Sequence, residues 1–349
     1  MKPTLLWGYC FVLGLMTISA RAATWTVTTT VSGGACTAGS TTDANCTLDA
    51  AITAAGNGDT ILFAPAVQTQ TIPFIGQNVT ASITIDGSPN GVALDGGGNN
   101  LIFYVDSGPT VQLSHLTFQH GRGTADGGAI YINNGNVTVD SCTFANNSAA
   151  IGGAIFFSYG SLTVLNSTFF NNQSPSGPSS GFGAAIASYG QTLVIANSTI
   201  AGNSAAVSGG GVDVVGSTVF LLSNIIATNA SASGPDITSY AATVTSLGSN
   251  LIGDNSGDAS YVSDPSDQIG VDPRFSPAGL AGNGGATQTV ALLSSSPAVR
   301  HGNCAGHVGD ATTPTIPAAV LDQRGIVRGT PCAIGAYDAT VIFYGGFEN

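Results

Sequence analysis

Residues 118–126 read Phe-Gln-His-Gly-Arg-Gly-Thr-Ala-Asp, and His120, Arg122 and Asp126 are side chains able to do ionic and acid–base chemistry. Arg122 suits a base or a clamp for a substrate carboxylate, because its planar fork matches that group. Asp126 could help hold a cation such as Ca²⁺. Together they would suit cleavage of an acidic polysaccharide. The alternative is a surface ion pair between Arg122 and Asp126 or Asp106. Hydrolysis of a glycosidic bond would instead need two carboxylates at a set separation. No such pair is evident, because Asp106, Asp126, Asp140 and Asp213 fall in four different columns of the repeat that carries them. The chain has no Gly-rich phosphate loop and no Gly-x-Ser-x-Gly elbow. His301, Cys304 and His307 lie close together, but they read as loop residues with Cys304 in a disulfide, so no metal site is assigned.

Binding has its own candidates. Tyr131 and Phe156 occupy the same outward position of adjacent repeats, with Tyr159 and Tyr189 nearby. Aromatic rings about 5 Å apart on a flat sheet suit stacking on sugar rings. The insertion SPSGPSSGF at 174–182 is a possible lid over them.

These residues are carried by one recurring phrase. It reads GGAIYINNGNVTVDSCTFANN from Gly127, GGAIFFSYGSLTVLNSTFFNN from Gly152, GAAIASYGQTLVIANSTIAGN from Gly183 and GGGVDVVGSTVFLLSNIIATN from Gly209. A degenerate copy starts at Leu101, and the starts differ by 26, 25, 31 and 26 residues. A period in the twenties with short alternating strands predicts an all-β solenoid, a right-handed parallel β-helix. Columns 10, 12 and 17 residues after each start are apolar and should point inward, as with Val137, Val139 and Phe144. Asn147, Asn172, Asn203 and Asn229 share the column 20 residues on, and are expected at a turn as a structural ladder tolerating left-handed geometry. His115 shares a column with Ser141, Asn166, Asn197 and Ser223 and reads as another ladder position.

The expected organisation is a signal peptide at 1–22, an N-terminal cap at 23–65, the β-helix at 66–252, a loop-rich C-terminal cap at 253–340 and an apolar tail at 341–349. The signal rests on Lys2, the apolar run Leu5–Ile18 and Ala20-Arg21-Ala22. The cap should hold a strand from Trp25 to Val31 and a short helix from Cys46 to Ala55, started by Asn45 or Thr47. Export allows disulfides, and Cys36–Cys46 and Cys304–Cys332 are the expected pairs, leaving Cys142 as a buried thiol. Cleavage at Ala22 would leave Arg122, Arg274, Arg300, Arg324 and Arg328 against 19 acids, a balance that excludes nucleic acid as a partner. No later segment is long and apolar enough to span a membrane as a helix, and a monomer is expected.

The GGAI…NSTF…N phrase resembles the polymorphic outer-membrane-protein repeat and the wider pectin-lyase-like β-helix superfamily. CTLDAAITAAGNGDTILF resembles the family named for its C-S-L-R-E-A signature, with Asp49-Ala50 in place of Arg-Glu. DPRFSPAGLAGNGGATQTVALLSSSPAV with LDQRGIVRGTPCAIGAYD resembles the choice-of-anchor Q family, with Ala333 and Asp338 where Asp and Glu are usual. These resemblances imply the β-helix fold and export to a bacterial surface, and they transfer no catalytic residue. The resulting expectation is a secreted or outer-surface protein, non-enzymatic, serving adhesion or glycan binding, with a polysaccharide or cell-surface glycan as partner and no cofactor. The alternative is a polysaccharide lyase or hydrolase around Arg122, Asp126 and His120, with Ca²⁺ if a lyase.

Overall fold

The computed structural model describes residues 22–339 except 75, 178 and 259, so the tail and all of the signal segment but Ala22 lie outside the described residues. Each repeat alternates apolar and polar residues over three short runs, and each run forms a strand. In the coil starting at Gly127 these are Ile130–Ile132, Gly135–Asp140 and Thr143–Ala145. The next coil stacks on it in parallel, with Tyr131 opposite Phe156, Val137 opposite Leu162 and Phe144 opposite Phe169. The columns of the sequence are therefore the physical registers. Repetition builds sheets of ten, seven and nine strands wound into one parallel β-helix.

The inward columns are buried along the whole stack. Phe118, Phe144 and Phe169 stack face to face inside, with ring centroids 4.7 and 4.5 Å apart. Burying each such ring contributes roughly 2–3 kcal/mol.

Corners are made by residues with left-handed backbone. His115, Ser141, Asn166, Asn197 and Ser223 have φ between 44° and 57° and turn the chain from the ten-stranded to the nine-stranded sheet. The second corner corrects an expectation: its left-handed residues are Asn146, Asn171, Gly202 and Thr228, each one before the ladder Asn. That turn aims the next side chain inward, so Asn147, Asn172 and Asn203 are fully buried. The Nδ2 of Asn147 donates to Asn172 Oδ1 at 2.9 Å, Asn172 to Asn203 at 2.8 Å, and Asn203 to Asn229 at 2.8 Å. Asn229 donates to Asp236 Oδ1 at 2.8 Å, which ends the row on a carboxylate. A second buried ladder runs from Ser167 and Ser198 through Asn224 and Asn250 to Asp267, and it too ends on an acid.

Strand Thr24–Val27 pairs with Thr60–Phe63 and joins the ten-stranded sheet. It stops short of Val31 because Thr28 turns to bond the carbonyl of Cys46. The helix is Leu48–Ala54, shorter than expected, with Thr47 capping it by accepting from the Ala50 amide. Leu48, Ala51 and Ile52 bury its apolar face against the main core. Disulfides join Cys36 to Cys46 and Cys304 to Cys332, and Cys142 is buried and free.

The C-terminal segment is a strap along the flank. After the hairpin Phe275–Ala281/Thr289–Leu292 it returns over the nine-stranded sheet. Gln323 Nε2 donates to Cys142 O, Thr143 Oγ1 and Thr287 Oγ1, and the Ala336 amide bonds Thr199 Oγ1. Ile316 packs on Val194 and Phe220 of the ten-stranded sheet.

Two predictions test this frame. Asn172→Ala would leave the Asn147 backbone amide and one Asn147 side-chain N–H without their acceptor, and would take one donor from the Phe144 carbonyl. Such orphaned groups cost about 1–3 kcal/mol each, so urea unfolding should report a loss of about 3 kcal/mol or more; a loss under about 1 kcal/mol would show that coil stacking alone holds the corner. Burial pushes the Asp236 carboxyl up to about 6, against the bonds it accepts from Asn229 and Asp254. The folded state then holds this proton more tightly than the unfolded chain. The group's contribution is therefore full below about pH 4 and lost as pH rises to about 6. Thermal melts of Asp236→Asn should lack that component.

Candidate functional site

The chemistry-bearing residues of 118–126 follow the corner that leaves the nine-stranded sheet, and the structure does not bring them together. His120 has left-handed backbone, and its Nδ1 sits 3.0 Å from Asp95 Oδ2, one coil earlier. Burial would raise the Asp95 carboxyl, but bonds from His120, Gly97 and Gln119 outweigh it and hold it low. His115 makes a matching pair, Nδ1 to Asp86 Oδ1 at 2.9 Å. That bond raises the imidazole against burial. Asp86 falls to about 2, because its bonds from His115 and Ser88 overcome desolvation. Both histidines are thus occupied as corner groups.

Arg122 is exposed, and its guanidinium makes no ion pair with any described residue. The anticipated pairing with Asp126 or Asp106 does not form. Asp106 instead accepts from the Ser107 amide and Asn133 Nδ2. Asp126 is half-buried, and desolvation raises its carboxyl. It shares a corner column with Ile151, Phe182 and Ser208. Asp213 is also raised, as is Asp236 before the last strand of the seven-stranded sheet; Asp213 is buried and accepts a bond from Ser208. Since Ser208 lies three coils from Asp126 in one column, the backbones carrying Asp126 and Asp213 are on the order of 14 Å apart.

Among the described residues no three His, Cys, Asp or Glu side chains converge as a metal site. Ca²⁺ takes six to eight oxygens, and Asp126 alone does not fit it. His301 Nδ1 faces its neighbour's carbonyl at Val299, and His307 Nε2 meets Thr313, so the two histidines share no centre with the bonded Cys304. Cys142 donates to the Leu113 carbonyl, and burial pushes its thiol well above the ordinary range.

The aromatic residues do converge, in a geometry that differs from a flat platform. Tyr104, Tyr131, Phe156 and Tyr189 form one row on the seven-stranded sheet, with centroids 5.1, 5.2 and 5.3 Å apart. Successive ring planes are inclined by 78°, 56° and 88°, so neighbours meet edge to face or tilted. Phe156 is only 3% exposed, because Tyr131 and Tyr189 flank it on both sides; it is the packing centre of the row. Tyr189 comes from two positions along, since the residue opposite Phe156 is the small Ala187. Tyr159 is 61% exposed and makes no ring contact with the row. Tyr104 escaped the repeat alignment because the degenerate coil is one residue longer between its first two strands. Phe103 pairs with Ile130, whereas Val111 pairs with Val137. The strap bonds to the nine- and ten-stranded sheets, leaving the three tyrosines partly exposed.

The insertion at 174–182 also departs from its expected place. Pro175, Ser176, Gly177 and Ser180 line a cleft of about 470 Å³ together with Arg122 and Thr124, so the insertion neighbours the arginine.

The family described as "Right handed beta helix region" matches residues 76–269. No curated protein matches the sequence. The chain is similar in structure to the crystal structure of pectate lyase Pel9A, with 17% identity, 86% of this chain and 97% of that one covered, and a TM-score of 0.46.

The separation of Arg122 from Asp126 has a direct check. The Asp126 carboxyl should titrate above the ordinary carboxylate value in a ¹³C NMR titration, and Arg122→Gln should leave that titration in place. An upward move on substitution would mean that the two groups pair in solution.

Proposed function

The chain belongs to the right-handed β-helix family, and on that premise we propose that it is an exported bacterial surface or secreted protein that binds glycans without cleaving them. The observation that carries this reading is the row Tyr104–Tyr131–Phe156–Tyr189 on the face the strap leaves uncovered. Tyrosine offers a sugar both an apolar ring and a polar tip, and inter-ring packing presets the rings before binding. Resemblance to the polymorphic outer-membrane-protein repeat, the C-S-L-R-E-A domain and the choice-of-anchor Q domain supports the surface location. The formal charge of −12 argues against nucleic acid as partner. No helix among the described residues is long and apolar enough to cross a membrane. In this reading the protein works as a monomer, since one solenoid carries the whole row.

Cleavage by Arg122 is the second reading, favoured by an arginine exposed without a partner. Against it stands the lack, among the described residues, of a carboxylate cluster to hold Ca²⁺ beside Asp126.

Glycan-array capture of the protein and of Tyr104→Ala/Tyr131→Ala tests the proposal. Each ring contributes about 0.5–1.5 kcal/mol, so the double variant should bind about tenfold more weakly while keeping a cooperative melt. Undiminished capture would remove the row as the site. Incubation with polysaccharides should yield no new reducing ends and no unsaturated uronate absorbance; their appearance would favour the second reading.

A further inference from the structure

The cleft at the corner beside the aromatic row is built for a charge that the rest of the solenoid repels. Its lining comes from three successive coils: Arg122 and Thr124 from the first, Ser148 from the second, Ser176 and Ser180 from the insertion in the third. Arg122 is the one Lys or Arg between residues 22 and 273. Its guanidinium has no ion-pair partner among the described residues. Ser180 is 6% exposed, and its Oγ is buried with no hydrogen-bond partner, although it lines the cleft. A buried hydroxyl without a partner costs free energy that a ligand acceptor would restore.

Much of the backbone around the cleft is already committed. The amides of Arg122, Gly123, Ser148, Ala149 and Ala150 all donate within or between coils. The positive charge for recognition must come from a side chain, the one guanidinium, with a few hydroxyls beside it. That set holds one planar anion and the neutral hydroxyl groups around it. A long polyanion is disfavoured, because the chain carries −12 and this stretch offers it a single cation.

We propose that this cleft is a subsite for a single carboxylate borne on an otherwise uncharged glycan, with Arg122 taking the carboxylate and Ser180 donating to it. The choice of a sugar as carrier rests on the glycan-binding reading; the anion site itself does not.

The test is calorimetric titration of the full chain with sodium glucuronate, glucose, sodium acetate and sodium phosphate. Glucuronate should bind at least tenfold more tightly than glucose. Arg122→Gln should remove that preference, Arg122→Lys should keep part of it, and Ser180→Ala should weaken glucuronate about threefold. Arg122 is exposed, so its variants should melt as the parent does, and a melt of each variant checks this. Tyr104→Ala/Tyr131→Ala should leave glucuronate binding intact, which separates this subsite from the aromatic row. Equal binding of glucuronate and glucose, or an unaffected Arg122→Gln, would overturn the site. Acetate or phosphate binding as tightly as glucuronate would overturn the sugar as carrier.

Discussion

Buried side-chain amides must be paired, and in this protein the Asn ladder pairs each of its members with a side chain one coil away. Asn147, Asn172, Asn203 and Asn229 satisfy one another in sequence and finish on Asp236. A coil shifted by one residue would leave two or more buried polar groups unmatched, at about 1–3 kcal/mol each. The ladder therefore sets the register as well as adding stability. The amide-to-amide bonds all run toward the C-terminal end, while each Nδ2 also donates back to a carbonyl of the preceding coil, so the row must close on an acceptor, and a carboxylate supplies it. The second ladder closes on Asp267 by the same logic.

Register at the corner fixes everything outside it. Once Phe144 lies over Phe169, Tyr131 must lie against Phe156, since both pairs belong to the same coils. The inner phenylalanines Phe118, Phe144 and Phe169 stack face to face in a buried column. The outer row tilts ring against ring, as aromatic quadrupoles prefer. The strap then breaks the equivalence of the three sides. Gln323 and its neighbours spend their hydrogen bonds on the threonine column of the nine-stranded sheet, and Ile316 covers part of the ten-stranded one. The seven-stranded sheet keeps its tyrosines at the surface, and the cleft of Arg122 opens on the corner that leads to it.

Much of this was legible in the chain. Column spacing identified the coils, the inward residues and the Asn ladder, because a solenoid turns sequence period directly into spatial neighbourhood. The second ladder was harder to read: Ser167, Ser198 and Asn224 share little but small size and polarity, and the pattern becomes evident only when Asn250 and Asp267 are seen to continue it. Tyr104 was hidden by a one-residue difference in loop length. Phe156 looked outward, as it does, but outward is not exposed when two tyrosines flank it.

What the sequence by itself determined is the parallel β-helix, its registers, its helical N-terminal cap and its disulfide partners, all consequences of local alternation and repeat period. Tertiary structure alone decided which face stays open, that His120 and His115 pair with Asp95 and Asp86, that Arg122 stands apart from Asp126, and that Ser180, with its buried hydroxyl unpartnered, lines the cleft beside that arginine. The open face and the cleft depend on how a strap from residues 275–339 and a loop from 174–182 lie across coils distant in sequence, and the histidine pairs on which single corner positions happen to carry an acid one coil earlier. No periodicity encodes such contacts, because each occurs once.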